Sequence, residues 1–528
     1  MLYSWWQRLS GSVTGAAVII GAASIVSRAL GLLRDNLMVK YVPSSELGVY
    51  LAAFKIPDLI FNIVVLGALS ASFIPVFIAV KKKHDTTTAF TLANSVLNIL
   101  LVVVTIGIGF GLLLAPQISK LLMRTHPEQQ ILTAQMLRVM LVCVWFFTVS
   151  NVMAGMLNAM RRFLAYSLAP ILYNIGIIIG AIGFYPRFGL MGLAYGVVLG
   201  AFFHCVAQWV AAWHSGYRYQ WIFCLNVTGV KKIFQLMPPR ALSLGIMQLT
   251  SFVLSIFVLG FNTNYLTNWT YADNLFNVPI NVIGVSLALS SFPVFSQALA
   301  DNDFAKFKEL FSNNIRRILF VIIPLSIVML LLRAQLVRLL FASLGKTLFS
   351  WQDTIITAQI LGVFSLSLFA QATIPLMTRV FFAHHNTKTP VYVSMAQLVL
   401  NVSLAWILSG TTLGLYGIAL AYSISNIIAM LILLCILRVK YGDLDDKRII
   451  SSIAKIVAAS SAMGLVIHGI RYLVAPYVDM HTTLGLFIQT TTSLAAGGFI
   501  YVTLAMYYKF EEADLIKVYV KKIWRVLN

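Results

Sequence analysis

The sequence predicts an all-α polytopic membrane protein with about fourteen transmembrane helices. Three observations carry this: composition, the lengths of the apolar runs, and the placement of basic residues. Of 528 residues, 59% are hydrophobic and 10% charged, with a mean hydropathy of +0.87. Soluble domains carry about 25% charged residues, so this chain has too little polar surface to cover a globule in water. The formal charge of +21, from 38 Lys+Arg against 17 Asp+Glu, would suggest nucleic-acid binding in a soluble protein. In a membrane protein it is read as basic cytoplasmic loops and contact with anionic lipid, with no nucleic acid among the partners. Cys143, Cys205, Cys224 and Cys435 are far apart and form no CxxC pair, so neither a disulfide framework nor a metal site is indicated.

A membrane helix needs about 20 apolar residues. The first apolar run starts near Ser12 without an A-x-A-like cleavage site and is read as a retained helix. In order, the spans fall at about 14–40, 48–80, 88–115, 130–160, 165–185, 189–213, 239–262, 268–299, 311–340, 353–383, 388–409, 413–438, 449–473 and 482–508. Pro57, Pro279 and Pro375 lie inside such segments, where a lost backbone hydrogen bond kinks a helix. After the last span, residues 510–528 mix Glu511, Glu512, Lys517, Lys521, Lys522 and Arg525 with Leu515, Ile516, Val518, Ile523 and Trp524. This pattern reads as an amphipathic helix on the cytoplasmic leaflet.

With the N-terminus cytoplasmic, the inner segments hold twenty-five lysines and arginines and the outer segments eight. That is the asymmetry of the positive-inside rule, and an odd number of spans would scramble it. Both termini are therefore expected in the cytoplasm.

The chain also repeats itself. Gly67–Phe77 (GALSASFIPVF) resembles Gly284–Phe295 (GVSLALSSFPVF), Asp58 to Asn62 resembles Asp273 to Asn277, and Gly189-Leu-Met-Gly-Leu-Ala resembles Gly414-Leu-Tyr-Gly-Ile-Ala. Three matches in one order, at nearly one offset, argue for duplication over chance. The offset spans six helices, an even number, so both copies keep one orientation as parallel repeats. The expected organisation is a six-helix bundle over 1–225, a second over 226–440, two additional helices over 441–509, and the tail over 510–528. A transport site is expected between the bundles near the midplane.

Charges inside a membrane are costly, and each is a functional candidate. Outside the loops they are Arg28, Arg34, Asp35, Lys55, Asp58, Arg138, Asp273 and Lys455. Arg138 and Lys455 lie near span ends and are assigned to snorkelling. On a helical wheel, Ser24, Ser27, Gly31, Arg34 and Asp35 fall with Arg28 inside roughly 120°. Gly31, between the arginines, leaves the space between them open. Lys55, Asp58 and Asn62 share about 60° of the second span, and Asp273, Asn274, Asn277 and Asn281 about 100° of the eighth. These three arcs suggest a hydrated cavity. Asp35 and Asp58 are read first as counter-charges. Two guanidinium groups exceed what one carboxylate can satisfy, and guanidinium suits bidentate phosphate binding, so Arg28 and Arg34 are read as ligand-binding.

These residues carry a resemblance. Ser27 to Asp35 (SRALGLLRD), followed by Ala53 to Pro57 (AFKIP), Phe73 to Val76 (FIPV) and Tyr271-Ala272-Asp273, resembles the MurJ (MviN) family of lipid II flippases, in the multidrug/oligosaccharidyl-lipid/polysaccharide exporter superfamily. The resemblance implies a transporter, not an enzyme, that works by alternating access without a cofactor. A cationic cavity would bind the pyrophosphate-linked headgroup while the polyprenyl tail stays in lipid. It assigns Arg28, Arg34 and Asp35, with Ser27, to the substrate cavity. Lys55, Asp273, Asn274 and Asn277 join them from the polar arcs. Implied partners are a lipid-linked anionic glycan, membrane lipids and other cell-wall synthesis proteins, in the bacterial cytoplasmic membrane. Phe61, Asn62 and Asn274 stand where the family usually carries arginines. The alternatives are a flippase for another polyprenyl-pyrophosphate-linked oligosaccharide, a membrane glycosyltransferase or acyltransferase, and a scaffold without transport. An enzyme of that kind would want paired carboxylates or a His-centred site, and His384-His385 has no acidic neighbour in sequence. The topology is tested by a cysteine at Ser409: it should react with an impermeant thiol reagent from outside, and protection there breaks the fourteen-span model.

Overall fold

The computed structural model describes residues 13–66, 73–223, 227–343, 345, 347–480 and 482–513. Of the C-terminal tail, the part beyond Ala513 lies outside the described residues. Among these residues there is no strand. The first helices are α1 (Val13–Tyr41), α2 (Ser44–Ile60), α3 (Ile74–Lys83), α4 (Thr86–Leu122), α5 (Gln130–Ala159), α6 (Phe163–Ile179), α7 (Leu190–His214) and α8 (Val230–Leu259). There follow α9 (Thr263–Pro279), α10 (Ser286–Ala300), α11 (Phe304–Leu331), α12 (Arg333–Phe341), α13 (Trp351–Ser365) and α14 (Leu368–Ala383). The last are α15 (Lys388–Ser409), α16 (Leu415–Tyr441), α17 (Asp446–Val474) and α18 (Thr483–Tyr507). Nine helices among the described residues are long and apolar enough to cross a membrane, or ten if α13 and α14, bent by 51°, form one span. Each overlaps one of the predicted segments. The protein is a multi-pass helical membrane protein.

Helix starts follow local chemistry. Asp85 accepts a hydrogen bond from the Thr88 amide (2.7 Å) and Asp303 from that of Lys306 (3.0 Å), each satisfying an orphan donor of the first turn. Ser350 and Asp353 form a reciprocal capping box on α13. Two of the three predicted kinks take a specific form: π-helical turns follow Pro57 at Phe61–Leu66 and Pro279 at Ile280–Val285, whereas Pro375 lies inside the continuous helix α14. A further π turn, Gly180–Phe184, extends α6. A π turn widens the helix where the regular ladder is broken.

The chain divides into two compact units. One runs to Thr267 and includes residues 346–349; the other comprises Asn268–Gly345 and the chain from Ser350 onward. In the first, α6 and α7 cross on glycine. A Cβ at Gly196 would sit 2.5 Å from Gly180 Cα, and one at Gly176 would sit 2.2 Å from Gly200 Cα. Small residues four apart let backbones approach this closely, which is how helices associate where lipid competes for every apolar contact. In the second unit, α17 and α18 pack on α11 through Phe320, Val328, Ile456, Met463, Ile467 and Tyr501.

The sequence repeat has conformational echoes. Gly189 (φ 56°, ψ −146°) and Gly414 (φ 51°, ψ −122°) start α7 and α16 in a region of backbone space open essentially to glycine alone. Three residues later, a Cβ on Gly192 would sit 2.4 Å from the Phe184 carbonyl carbon, and one on Gly417 would sit 2.5 Å from the Leu408 oxygen. Asn62 Nδ2 donates to the Asp58 carbonyl (2.8 Å), and Asn277 Nδ2 to the Asp273 carbonyl (2.9 Å). Both duplicated motifs therefore adopt one local geometry in each copy.

Crowding at the glycines predicts a contrast in stability. Gly196→Leu should cost at least about 1–3 kcal/mol by overpacking the α6–α7 crossing. At Gly31 a Cβ meets nothing within 4 Å, so Gly31→Ala should be neutral or stabilising by up to about 1 kcal/mol. Thermal denaturation of the purified variants decides; equal loss in both would refute the packing argument.

Candidate functional site

Three of the charges predicted in the first unit, Arg28, Arg34 and Asp35, lie on α1. Arg34 donates to Asp35 Oδ1 through Nε (2.9 Å) and Nη2 (2.7 Å), and its Nη1 donates to Asn174 Oδ1 (3.1 Å). Asp35 is buried, at 7% exposure, and a carboxylate there requires a partner. Asn174, on α6, is itself anchored: its Nδ2 donates to the Pro170 carbonyl (3.0 Å) and to the Ser27 carbonyl of α1 (3.4 Å). Asn174 lies two residues before Gly176, so the α6–α7 glycine crossing fixes the helix that holds Arg34. The expectation that Asp35 is a counter-charge matches this geometry, and its partner is Arg34.

Arg28, one and a half turns earlier, differs. It is exposed and has no ion pair or hydrogen bond among the described residues. It lines a cleft of about 320 Å³ with Ser27, Asn151, Tyr166, Ser167, His204 and Gln208. The cleft is furnished for hydrogen bonding. Ser150 Oγ lies 2.5 Å from His204 Nδ1, and Gln208 Nε2 donates to the Ala165 carbonyl (3.2 Å). Gln208, 1% exposed, leaves its buried Oε1 without a donor among the described residues. A guanidinium beside an unmatched amide oxygen can take a phosphate with an attached polar group that donates to that oxygen. The two arginines predicted on one face thus have different surroundings: Arg34 is clamped, Arg28 is open.

Lys55 and Asp58 lie apart from that cleft. Lys55 Nζ donates to Ser251 Oγ of α8 (3.2 Å), and Asp58 Oδ1 accepts from Asn62 (2.8 Å). Phe61, at a position where the resemblance calls for arginine, packs its ring 5.0 Å from that of Phe147, which in turn packs against Tyr173 and His204. In the second unit, Asp273 and Asn277 form the local pair described above, and Asn274 is exposed beside them. Tyr271 stacks on Phe341 at 4.5 Å. His384 and His385 are exposed at the end of α14.

Sequence reasoning missed Asn174, His204 and Gln208. A signal was present for two of them: His204 and Gln208 stand four apart on α7, otherwise almost entirely apolar, and so share a face. Asn174 was hidden, because a single amide in an apolar run has no periodicity.

Comparison with known proteins places this arrangement. The family model described as "Lipid II flippase MurJ" matches residues 44–518, so α1 lies before the matched range. A probable lipid II flippase MurJ of Bdellovibrio bacteriovorus is 26% identical, covering 92% of this chain and 93% of its own length. One from Rhizobium meliloti is 25% identical, covering 93% and 91%. Among solved structures, a lipid II flippase MurJ in an inward closed conformation matches with a TM-score of 0.76 at 23% identity, over 94% of this chain and 100% of that one. An inward-facing multidrug resistance MATE transporter of the MOP superfamily matches with a TM-score of 0.65 at 20% identity, over 81% and 99%. With a match over most of its length, the chain belongs to the lipid II flippase MurJ family.

Proposed function

We propose that the protein moves lipid II, a polyprenyl-pyrophosphate-linked glycan, from the cytoplasmic to the outer leaflet of the bacterial cytoplasmic membrane. It does so by alternately exposing a headgroup site to the two sides, with both termini in the cytoplasm and no chemistry performed on the cargo. Family membership supports the cargo. The observation that carries the site is Arg28: an unpaired guanidinium on a membrane helix, facing a polar cleft with a buried, unsatisfied Gln208 oxygen. An uncompensated cation in such a place is retained at a cost unless an anion visits it. Arg28 is assigned to the pyrophosphate and Ser27 to its rim. Arg34 and Asp35 set the shape and charge of α1 beside it. Lys55 is assigned as a further cation for the headgroup, and Asp273, Asn274 and Asn277 as headgroup contacts of the second unit. Other cell-wall synthesis proteins are proposed as partners that supply or consume the cargo.

A second cargo is favoured by one observation. Phe61 is committed to an aromatic cluster with Phe147, so the position contributes apolar surface in place of charge. Another polyprenyl-pyrophosphate-linked oligosaccharide with a less anionic headgroup fits that surface. Transport of both fluorescently labelled headgroups by the protein in vesicles separates the readings.

The different surroundings of Arg28 and Arg34 predict different effects of mutation. Arg28→Ala removes an unpaired, exposed group, so transport should fall at least about tenfold, the value of one charge-assisted contact, with unchanged thermal stability. Arg28→Lys should recover only part, because the planar fork is lost. Full activity of Arg28→Ala would sink the assignment. Arg34→Ala and Asp35→Asn each leave half of a largely buried pair, so both should lower stability by about 1–3 kcal/mol, discounted for the part-exposed guanidinium. The double variant Arg34→Leu/Asp35→Leu should be more stable than Asp35→Asn. Stability unchanged in the single variants would show that the pair contributes nothing to folding.

A further inference from the structure

A second cationic cleft lies in the other unit, at the end of α18. Its centre is Arg316 of α11, 3% exposed. Its Nη1 donates to Glu512 (2.6 Å) and Glu511 (3.0 Å), and its Nη2 to Asn313 (2.6 Å). Glu512, 5% exposed, also accepts from Ser452 of α17 (2.8 Å). The described part of the segment after α18 is a 3-10 turn, Glu511–Ala513, with Phe510, Glu512 and Ala513 buried. The polar group at Glu512 requires the buried arginine, and this ties the end of α18 to α11 and α17.

The knot carries surplus positive charge. Arg448 pairs with Glu511 and approaches Asp445, which does not line the cleft, at 3.8 Å. Hydrogen bonding from Arg448 and Arg316 holds the Glu511 carboxyl below the usual carboxylate range, against the opposing effect of burial. Lys455 and Lys509 also line the cleft, are exposed, and have no ion pair or hydrogen bond among the described residues. Four cations therefore border a cleft of about 120 Å³ whose acids are Glu511 and Glu512. The Arg316 Nε–H is buried and has no acceptor among the described residues, and a buried donor left unmatched is costly.

The surroundings identify the occupant. Tyr507 and Tyr508 at the end of α18 are exposed, as are Ile450 and Val457 on α17. Exposed tyrosines beside apolar helix surface mark the headgroup level of a bilayer. Lys455 is exposed within the same two turns of α17, and a lysine near a span end can reach the headgroup level by snorkelling. We propose that this cleft binds the phosphate of an anionic phospholipid headgroup, with Lys455 and Lys509 as its open contacts and Arg316 and Arg448 as its fixed ones. A net-negative headgroup matches the surplus; a zwitterionic one brings its own cation and does not.

The test uses the purified full-length chain in neutral detergent, with thermal denaturation read as short-chain phosphatidylglycerol, short-chain phosphatidylcholine or inorganic phosphate is added. Phosphatidylglycerol should raise the midpoint by several degrees, and Lys455→Gln/Lys509→Gln should weaken that half-saturation roughly tenfold. That variant leaves the Arg316–Glu512 contact untouched, so its unliganded midpoint should not move. Lys81→Gln/Lys82→Gln, an exposed pair in the first unit, should keep the wild-type response. An undiminished response in Lys455→Gln/Lys509→Gln overturns the site. Equal loss in the Lys81/Lys82 control would mean general attraction of anionic lipid to a basic protein. A full effect from phosphatidylcholine overturns the charge argument, and a full effect from inorganic phosphate overturns the lipid as its source.

Discussion

A guanidinium in an apolar helix bundle has to be answered by a charge and by hydrogen bonds, and the first unit is organised around one such answer. Arg34 takes both from its neighbours: two N–H groups reach Asp35 and a third reaches Asn174. Asn174 can be there because α6 and α7 approach through Gly176, Gly180, Gly196 and Gly200 without side chains between them. The glycine crossing, the amide and the ion pair are therefore one device. It links the packing of α6 and α7 to the position of α1, and leaves Arg28, a turn and a half away, as the group whose charge is not already used.

Much of this was legible in the sequence because membranes constrain it so tightly. Backbone groups in lipid must be satisfied within the segment, so long apolar runs are helices, and they are. The polar arc on α1 was legible because helical period is fixed, and Asp35 could be read as a counter-charge because carboxylates are scarce. The environments of Arg28 and Arg34 were not legible. A wheel gives a face, but it does not say which of two arginines turns back on its own aspartate. Asn174 was illegible for a similar reason: its importance comes from α6 meeting α1, a tertiary fact. The pairing of Glu512 was not legible either: in the mixed charged and apolar tail its burial depends on Arg316, nearly two hundred residues earlier, buried opposite it.

The two copies of the repeat agree on backbone devices. Each has an Asn donating to the Asp carbonyl four residues before it, a π turn overlapping or closely following that motif, and a glycine in a region closed to other residues at a helix start. They disagree on charge. The segment of the second copy that corresponds by offset to α1 lies in α8, and between Ala241 and Ala272 the chain has no Asp, Glu, Lys or Arg. Backbone solutions are hard to replace piecemeal, because a π turn or a glycine start involves several residues at once. A membrane charge is different: it destabilises unless something uses it, so an unused one is readily lost from either copy. That Arg28, Arg34 and Asp35 stand on one side alone argues that the backbone scaffold is shared by the two copies while the charges of the first helix are particular to one.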